Sequence, residues 1–516
     1  MRRLKSEDSS SLTVPLASRL AASEDGRRFN VPYPTVYLFD DDILLGIFRC
    51  YRLDKNNGWN HRLGWLKLSQ VCQRWRHLIH GCAFRLGIYI EFPNLNGTRA
   101  VDVMEQLPPL PLFIHYRYAR HTALTEQEEL GIYNALQLHD RVRRIDLELP
   151  PSVLRRVFVL PDEKFPILEH VSISFGTTTE NNRSLTLPNA FRASFWAPNL
   201  RHLTLPSIRP PRDLQLLTST VSLVTLVLSD IIPSSYFHPR LLVTRLQFLP
   251  QLKELSIGFS TLIPPLGTES GLLLGGQRAP VTLPGLKILQ FKGVSAYLES
   301  LIAQIRVPHL ERLLITLFNQ IAFALPHLSH LINITKAIKL PNANIFFGQN
   351  EVYITTVHDH GSLRRLEKGP FFLRVACNQL NCKIKYASQI CHSLTSALSG
   401  VEGLTLYLYH DENRWDNWIR TELRKGAIDS ATWHNLLRSF VGLRELRIYY
   451  YALLEELSRA LQVDEVGLDP GFLPNLRSVT ARENRFTSFI NTRRVMGRPV
   501  QFSGWPFSPQ LAAAMV

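Results

Sequence analysis

Cysteine is scarce in this chain and no stretch of it stays apolar for long, and each shortage excludes a class of protein. The six cysteines among 516 residues, Cys50, Cys72, Cys82, Cys377, Cys382 and Cys391, follow no regular spacing, and no signal-peptide pattern precedes them. A disulfide-stapled secreted fold is therefore excluded, and a reducing compartment, cytoplasmic or nuclear, is expected. A membrane-spanning helix needs about 18 consecutive apolar residues. The nearest candidate, Leu313 to Leu325, is interrupted by Asn319 and Gln320, so no span is expected.

Signatures of catalysis are missing as well. The chain has no H-E-x-x-H, no phosphate-binding G-x-x-x-x-G-K-S/T, no G-x-S-x-G and no C-x-x-C. Cys377, Cys382, Cys391 and His392 are separated by four, eight and zero residues, which matches no zinc knuckle or ribbon. Packed, reduced thiols are the better account of them. His358, Asp359 and His360, and separately His410, Asp411 and Glu412, each follow a strand-like run and read as polar loops. Gly267, Gly271, Gly275 and Gly276 lack the lysine and the strand-to-helix setting of a phosphate cradle. Neither catalytic residues nor a metal site nor a cofactor is expected.

What the chain does have is positive charge: 58 lysines and arginines against 43 acids, a net +15, with a pI near 9.6. Such a surface speeds association with acidic partners. The arginines fall in small groups, Arg141, Arg143 and Arg144, Arg364 and Arg365, Arg493 and Arg494, without the interleaved aromatics of a nucleic-acid module, so a solvated basic face is the expectation. With 45% hydrophobic residues the chain is a folded protein of roughly two to four domains. Residues 1–30 are a polar mixture with little to bury and are expected to form a disordered tail.

The strongest local pattern lies within residues 31–92. Asp40, Asp41 and Asp42 precede the apolar stripe Ile43, Leu44, Ile47, Phe48 and Tyr51, which predicts a helix with acceptors at its start. Further on, Leu68, Val71, Cys72, Trp75, Leu78 and Ile79 fall at offsets 0, 3, 4, 7, 10 and 11, while Lys67, Gln70, Gln73, Arg74, Arg76 and His77 take the other face. A small helical docking module is expected.

The order acid, I-L-L-x-I-F, loop, L-S-x-V-C-x-x-W-R-x-L-I resembles the F-box, and the loop with Trp59 and Trp65 is most similar to the version in mushroom-forming fungi. Where that family usually has Leu-Pro, this chain has Phe39 and Asp40. The resemblance implies a receptor subunit of a cullin-RING ubiquitin ligase, binding a Skp-type adaptor and through it a cullin, while the rest of the chain holds a protein substrate. Carried over by position, the adaptor-binding residues would be Phe39, Asp40, Ile43, Leu44, Ile47, Phe48, Val71, Cys72 and Trp75. Trp75 is also the first candidate for internal core, since truncating a buried tryptophan costs roughly 3 to 5 kcal/mol.

Residues 93–140 read as a proline-rich bridge, with a strand at Leu112–Tyr118 and a helix over about 125–139 opened by the capping-box pair Thr125 and Glu128. From 141 to 516 an apolar pattern at offsets 0, 3 and 5 recurs. It is seen at Val142-Ile145-Leu147, Leu168-Val171-Ile173, Leu200-Leu203-Leu205, Leu223-Leu226-Leu228, Leu252-Leu255-Ile257, Leu286-Leu289-Phe291, Leu310-Leu313-Ile315, Val401-Leu404-Leu406, Leu443-Leu446-Ile448 and Leu476-Val479-Ala481. Six of these units carry a proline two places ahead, at Pro166, Pro198, Pro250, Pro284, Pro308 and Pro474. The last two apolar residues of each unit share one strand face, and the residues between them face the other way.

The pattern resembles a leucine-rich repeat, which implies an α/β solenoid of parallel strands and helices with a concave face for the substrate. Successive spacings of 26, 32, 23, 29, 34 and 24 residues, and the absence of an Asn or Cys three places after the last leucine, make it a degenerate one. Residues 344–399 break the pattern, and Val352-Tyr353-Ile354 and Phe371–Val375 predict strands of an inserted unit. A different function, a basic solenoid scaffold or nucleic-acid-associated protein without a ligase role, is the alternative.

Overall fold

A computed structural model describes residues 39–53, 65–87, 89–92, 110–117, 124–157, 164–175, 196–206, 217, 220–232, 236–260, 279–348, 350–356, 366–377, 380–408, 430–449, 451–461 and 472–504. The polar segment 1–30, both histidine-acid groups and the four loop glycines lie outside these residues. Two compact units meet at the Leu86–Gly87 bond. The first is helical: α1 (Asp41–Leu53), α2 (Trp65–Ser69), α3 (Gln73–Gly81) and α4 (Ala83–Leu86).

The second unit is α/β and is built on a sheet. Its strands in chain order are β1 (Ile90–Phe92), β2 (Leu112–Arg117), β3 (Val142–Leu149), β4 (His170–Phe175), β5 (His202–Pro206), β6 (Thr225–Ile231), β7 (Glu254–Phe259), β8 (Val281–Thr282), β9 (Ile288–Gly293), β10 (Ile305–Arg306), β11 (Arg312–Leu317), β12 (Asn342–Phe347), β13 (Glu351–Thr355), β14 (Phe371–Ala376), β15 (Gly403–Leu408), β16 (Glu445–Ile448), β17 (Ser478–Ala481) and β18 (Gln501–Gly504). Sixteen of them form one sheet in the order β1-β2-β3-β4-β5-β6-β7-β9-β11-β14-β13-β12-β15-β16-β17-β18; β8 and β10 form a separate parallel pair. Pairing is parallel throughout except where β13 runs antiparallel between β14 and β12.

The boundary expected at residue 92 falls after Phe92, but Ile90–Phe92 pair with Leu112–Ile114, so backbone hydrogen bonding assigns β1 to the sheet. The bridge likewise belongs to it, because β2 pairs with β3. Its helix, Glu126–Gln137, starts on a capping box in which Thr125 Oγ1 accepts from the Glu128 N–H at 3.2 Å and the Glu128 carboxylate accepts from the Thr125 N–H at 2.9 Å.

All ten apolar triplets are buried. In nine of them the residue at offset 0 closes a tight turn, its N–H donating to the carbonyl three residues earlier: Leu168 to Phe165, Leu200 to Ala197, Leu286 to Leu283 and Leu476 to Leu473, among others, at 3.0–3.4 Å. The six prolines therefore stand at the first corner of that turn, where a fixed φ is favourable. The next corner faces the preceding turn. Asn199 Nδ2 donates to the Pro166 carbonyl at 2.6 Å and Asn475 Nδ2 to the Val441 carbonyl at 3.0 Å, two asparagine rungs one place ahead of the first apolar residue of their units.

Helices cover the triplet face of the sheet. Phe259 and Phe291 of β7 and β9 pack around Tyr297, from the helix Ser295–Ile302, with ring centroids 4.8 and 5.8 Å away. Tyr297 is fully buried, and its hydroxyl has no hydrogen-bond partner among the described residues. Burial also drives its pKa up. An unpaired buried hydroxyl costs about 1–3 kcal/mol. Tyr297→Phe is therefore expected to stabilise the chain by about 1 kcal/mol, read as a higher urea midpoint; a lower midpoint would refute this account of the hydroxyl.

Strands β12, β13 and β14 are buried on both faces, as is β15 over Leu404–Tyr407. Phe346, Tyr353, Phe372 and Tyr407, on the side opposite the helices, form an apolar cluster with Leu366. Phe346 and Tyr407 stack at 4.4 Å, and Tyr407 stacks on Tyr449 at 4.4 Å.

Candidate functional site

The site predicted from sequence lies in the helical unit, and local chemistry builds it. Asp40 caps α1: its Oδ1 accepts from the Ile43 N–H at 2.8 Å, and its carbonyl accepts from the Leu44 N–H at 3.1 Å. Asp41 and Asp42 fill the first turn, where negative charge suits the helix dipole. Cys72 opens α3, its Sγ accepting from the Trp75 N–H at 3.5 Å. The helix expected to run from Leu68 to Ile79 is thus split in two. α2 ends at Ser69 and the chain turns over Gln70–Val71, because Cys72 adopts an extended backbone as the cap.

The nine candidates separate into three groups. Leu44 and Phe48 are 1% exposed and belong to the unit's core with Ile79, Ala83 and Leu86. Phe48 meets Trp75 edge-on at 4.8 Å, and Trp75, the candidate for internal core, is half-buried at the margin of that packing. Ile43, Ile47 and Val71, in contrast, are 48%, 44% and 59% exposed. Ile43 and Ile47 are one turn apart on α1 and make a single apolar stripe. Phe39 and Asp40, with the half-buried Cys72, set the ends of the helices; the carbonyl of Phe39 and the carboxylate of Asp41 are both held by Arg74.

Arg74 is the residue that the sequence pattern placed only on a polar face. Its Nη2 donates to Phe39 O at 2.6 Å and to Asp41 Oδ1 at 2.7 Å, and its Nε donates to Asp41 Oδ1 at 3.0 Å. This clamp ties the start of α1 to α3. No periodicity could reveal it, since the partners are 33 residues apart. As an exposed ion pair it contributes about 0–1 kcal/mol, so its effect is orientation more than stability. On α3, burial and the neighbouring Arg76 and His77 hold the His80 imidazole below its ordinary pKa.

The exposed Ile43, Ile47 and Val71 offer a surface that an apolar partner can bind. Among the described residues of the whole chain, no group of three His, Cys, Asp or Glu side chains could hold a metal, and no helix is long and apolar enough to cross a membrane. No disulfide joins any of the six cysteines; Cys377 and Cys391 are buried, and burial raises the Cys391 thiol pKa well above its usual range. Arg493, counted above with the surface charge, is instead buried and donates to the Phe472 and Leu476 carbonyls. Compared with known proteins, the chain matches no family model and no curated sequence.

Proposed function

We propose that the chain is a substrate-recognition subunit of a cullin-RING ubiquitin ligase: α1–α4 act as an F-box that docks a Skp-type adaptor, and the sheet unit acts as a degenerate leucine-rich-repeat-like domain that holds a protein substrate. The observation that carries the reading is the split on α1. A helix that buried only its core face would leave polar residues outside, yet Ile43 and Ile47 stand in solvent beside the buried Leu44 and Phe48. Exposed aliphatic residues on a unit this small mark a contact surface. The recurring triplets, the proline turns and the mostly parallel sheet support the second half.

The mechanism is proximity. A bridge that holds substrate lysines near a charged ubiquitin carrier raises their effective concentration, with the chemistry supplied by the partners. Co-purification of a Skp-type adaptor with wild type and with Ile47→Asp tests this. Capture by wild type is expected to fall at least about tenfold in the variant, with thermal unfolding unchanged because Ile47 is exposed. Failure of the wild type to retain the adaptor would sink the reading, and salt-sensitive retention on DNA would favour the scaffold alternative instead.

A further inference from the structure

The sheet unit also holds a cleft that the adaptor reading does not use. It has a volume of about 960 Å³ and lies between the β8–β10 pair and the helix Pro326–Ile334. Its apolar lining comes from Ile302, Ile305, Val307, Leu331 and Ile334. All are aliphatic, and Ile334 is 59% exposed. Two cations and one acid line it, Arg306, Lys336 and Glu311. Arg306 and Lys336 are exposed and make no ion pair among the described residues.

Among the described residues, two acids of this region already have partners. Glu311 binds Lys287 at 2.6 Å, and the buried Glu299 accepts from the His327 and Leu328 N–H groups. His309, His327 and His330 line the same cleft and are exposed, adding donors but no negative charge.

We propose that this cleft binds a short peptide segment of a partner protein in which acidic residues flank leucine or isoleucine. The volume is that of a ligand site, and an aliphatic wall suits branched side chains. Nucleic acid is the poorer match, because bases stack best on the broad rings of Phe, Tyr or Trp and this lining has none of them. The donors are spread over β10, the turn after it and the helix with its C-terminal end, which suits several carboxylates along a peptide better than one headgroup. Docking of α1 to an adaptor is not a premise of this binding, so either can fail alone.

The probe is a fluorescein-labelled synthetic peptide of repeated Asp-Leu-Leu-Asp blocks, titrated against the full chain by fluorescence anisotropy. Wild type is expected to bind it saturably. The Arg306→Glu, Lys336→Glu double variant and, separately, Ile334→Asp are each expected to weaken it about tenfold. All three positions are exposed, so unfolding curves should coincide with wild type. The double variant should regain affinity for the same peptide with lysine in place of aspartate. Absence of binding to wild type, equal affinity for the acidic and lysine peptides, or unchanged binding by the variants would overturn the proposal. Oleate that displaced the peptide as well as an unlabelled copy does would overturn the assignment to a peptide.

Discussion

Alanine at Gly442 is expected to destabilise the sheet unit by about 2–3 kcal/mol, whereas alanine at Gly400, one turn earlier in the sheet, is expected to stabilise it by about 0.5 kcal/mol. Both glycines occupy the second corner of the tight turn that leads into a strand: Leu398–Val401 before β15 and Phe440–Leu443 before β16. A Cβ on Gly400 would meet nothing within 4 Å. A Cβ on Gly442 would be driven into the Ser399 carbonyl oxygen and would press on Val401 O at 3.3 Å.

Those obstacles are backbone, which cannot swing aside without parting β15 from β16. At Gly400 only the unfolded-state term remains, and there alanine has less freedom to lose on folding. Neither glycine is among those with positive φ, so the contrast is steric. Urea unfolding with amide exchange in Gly403–Leu408 and Glu445–Ile448 would read it. Equal effects at the two sites would show that turn stacking does not set the spacing of the strands.

That stacking explains why part of this fold could be read from the sequence and part could not. The triplets were legible because strand periodicity and the proline corner are both local. The register of one turn on the next is not: Asn199 and Asn475 donate to the turn before, while Gly285 and Gly442 let a carbonyl approach where a side chain would stand. Likewise Val352-Tyr353-Ile354 and Phe371–Val375 announced strands, since residues of both parities are apolar, but the reversal of β13 comes from hairpins on either side of it.

The docking face had the same limit. Helical spacing put Ile43, Leu44, Ile47 and Phe48 on one broad stripe, and only packing against α3 and α4 separates the buried pair from the exposed pair. Offset 3 predicts a helical Val71; the extended cap at Cys72 puts it in a turn instead.

The cap of the helix Pro326–Ile334 shows the principle in its strongest form, and Glu299→Ala is expected to cost about 3 kcal/mol. No Ser, Thr, Asp or Asn precedes this helix: Leu325 stands at the cap position and offers no side-chain acceptor. Pro326 has no N–H, so the first donors needing a partner are His327 and Leu328, and both donate to the Glu299 carboxylate, at 2.7 and 3.0 Å. The acceptor comes from 28 residues upstream, on the neighbouring helix Ser295–Ile302, and is almost wholly buried.

Removing it leaves two donors without their acceptor, at about 1–2 kcal/mol each. Glutamine keeps one carbonyl oxygen and should lose less. The pH dependence has a definite sign. Burial raises the Glu299 pKa above its ordinary 4.5, and the two backbone donors only partly oppose this. A carboxyl whose folded pKa is raised contributes stability that is complete below the unfolded value and is lost as pH rises through the folded one. Glutamine does not titrate, so the cost of Glu299→Gln should be greatest below pH 4.5 and should shrink toward neutrality. Urea midpoints of wild type and variant across that range decide it. A cost that grew with pH would mean that the ionised carboxylate is the favoured form, and that the two N–H groups outweigh its burial.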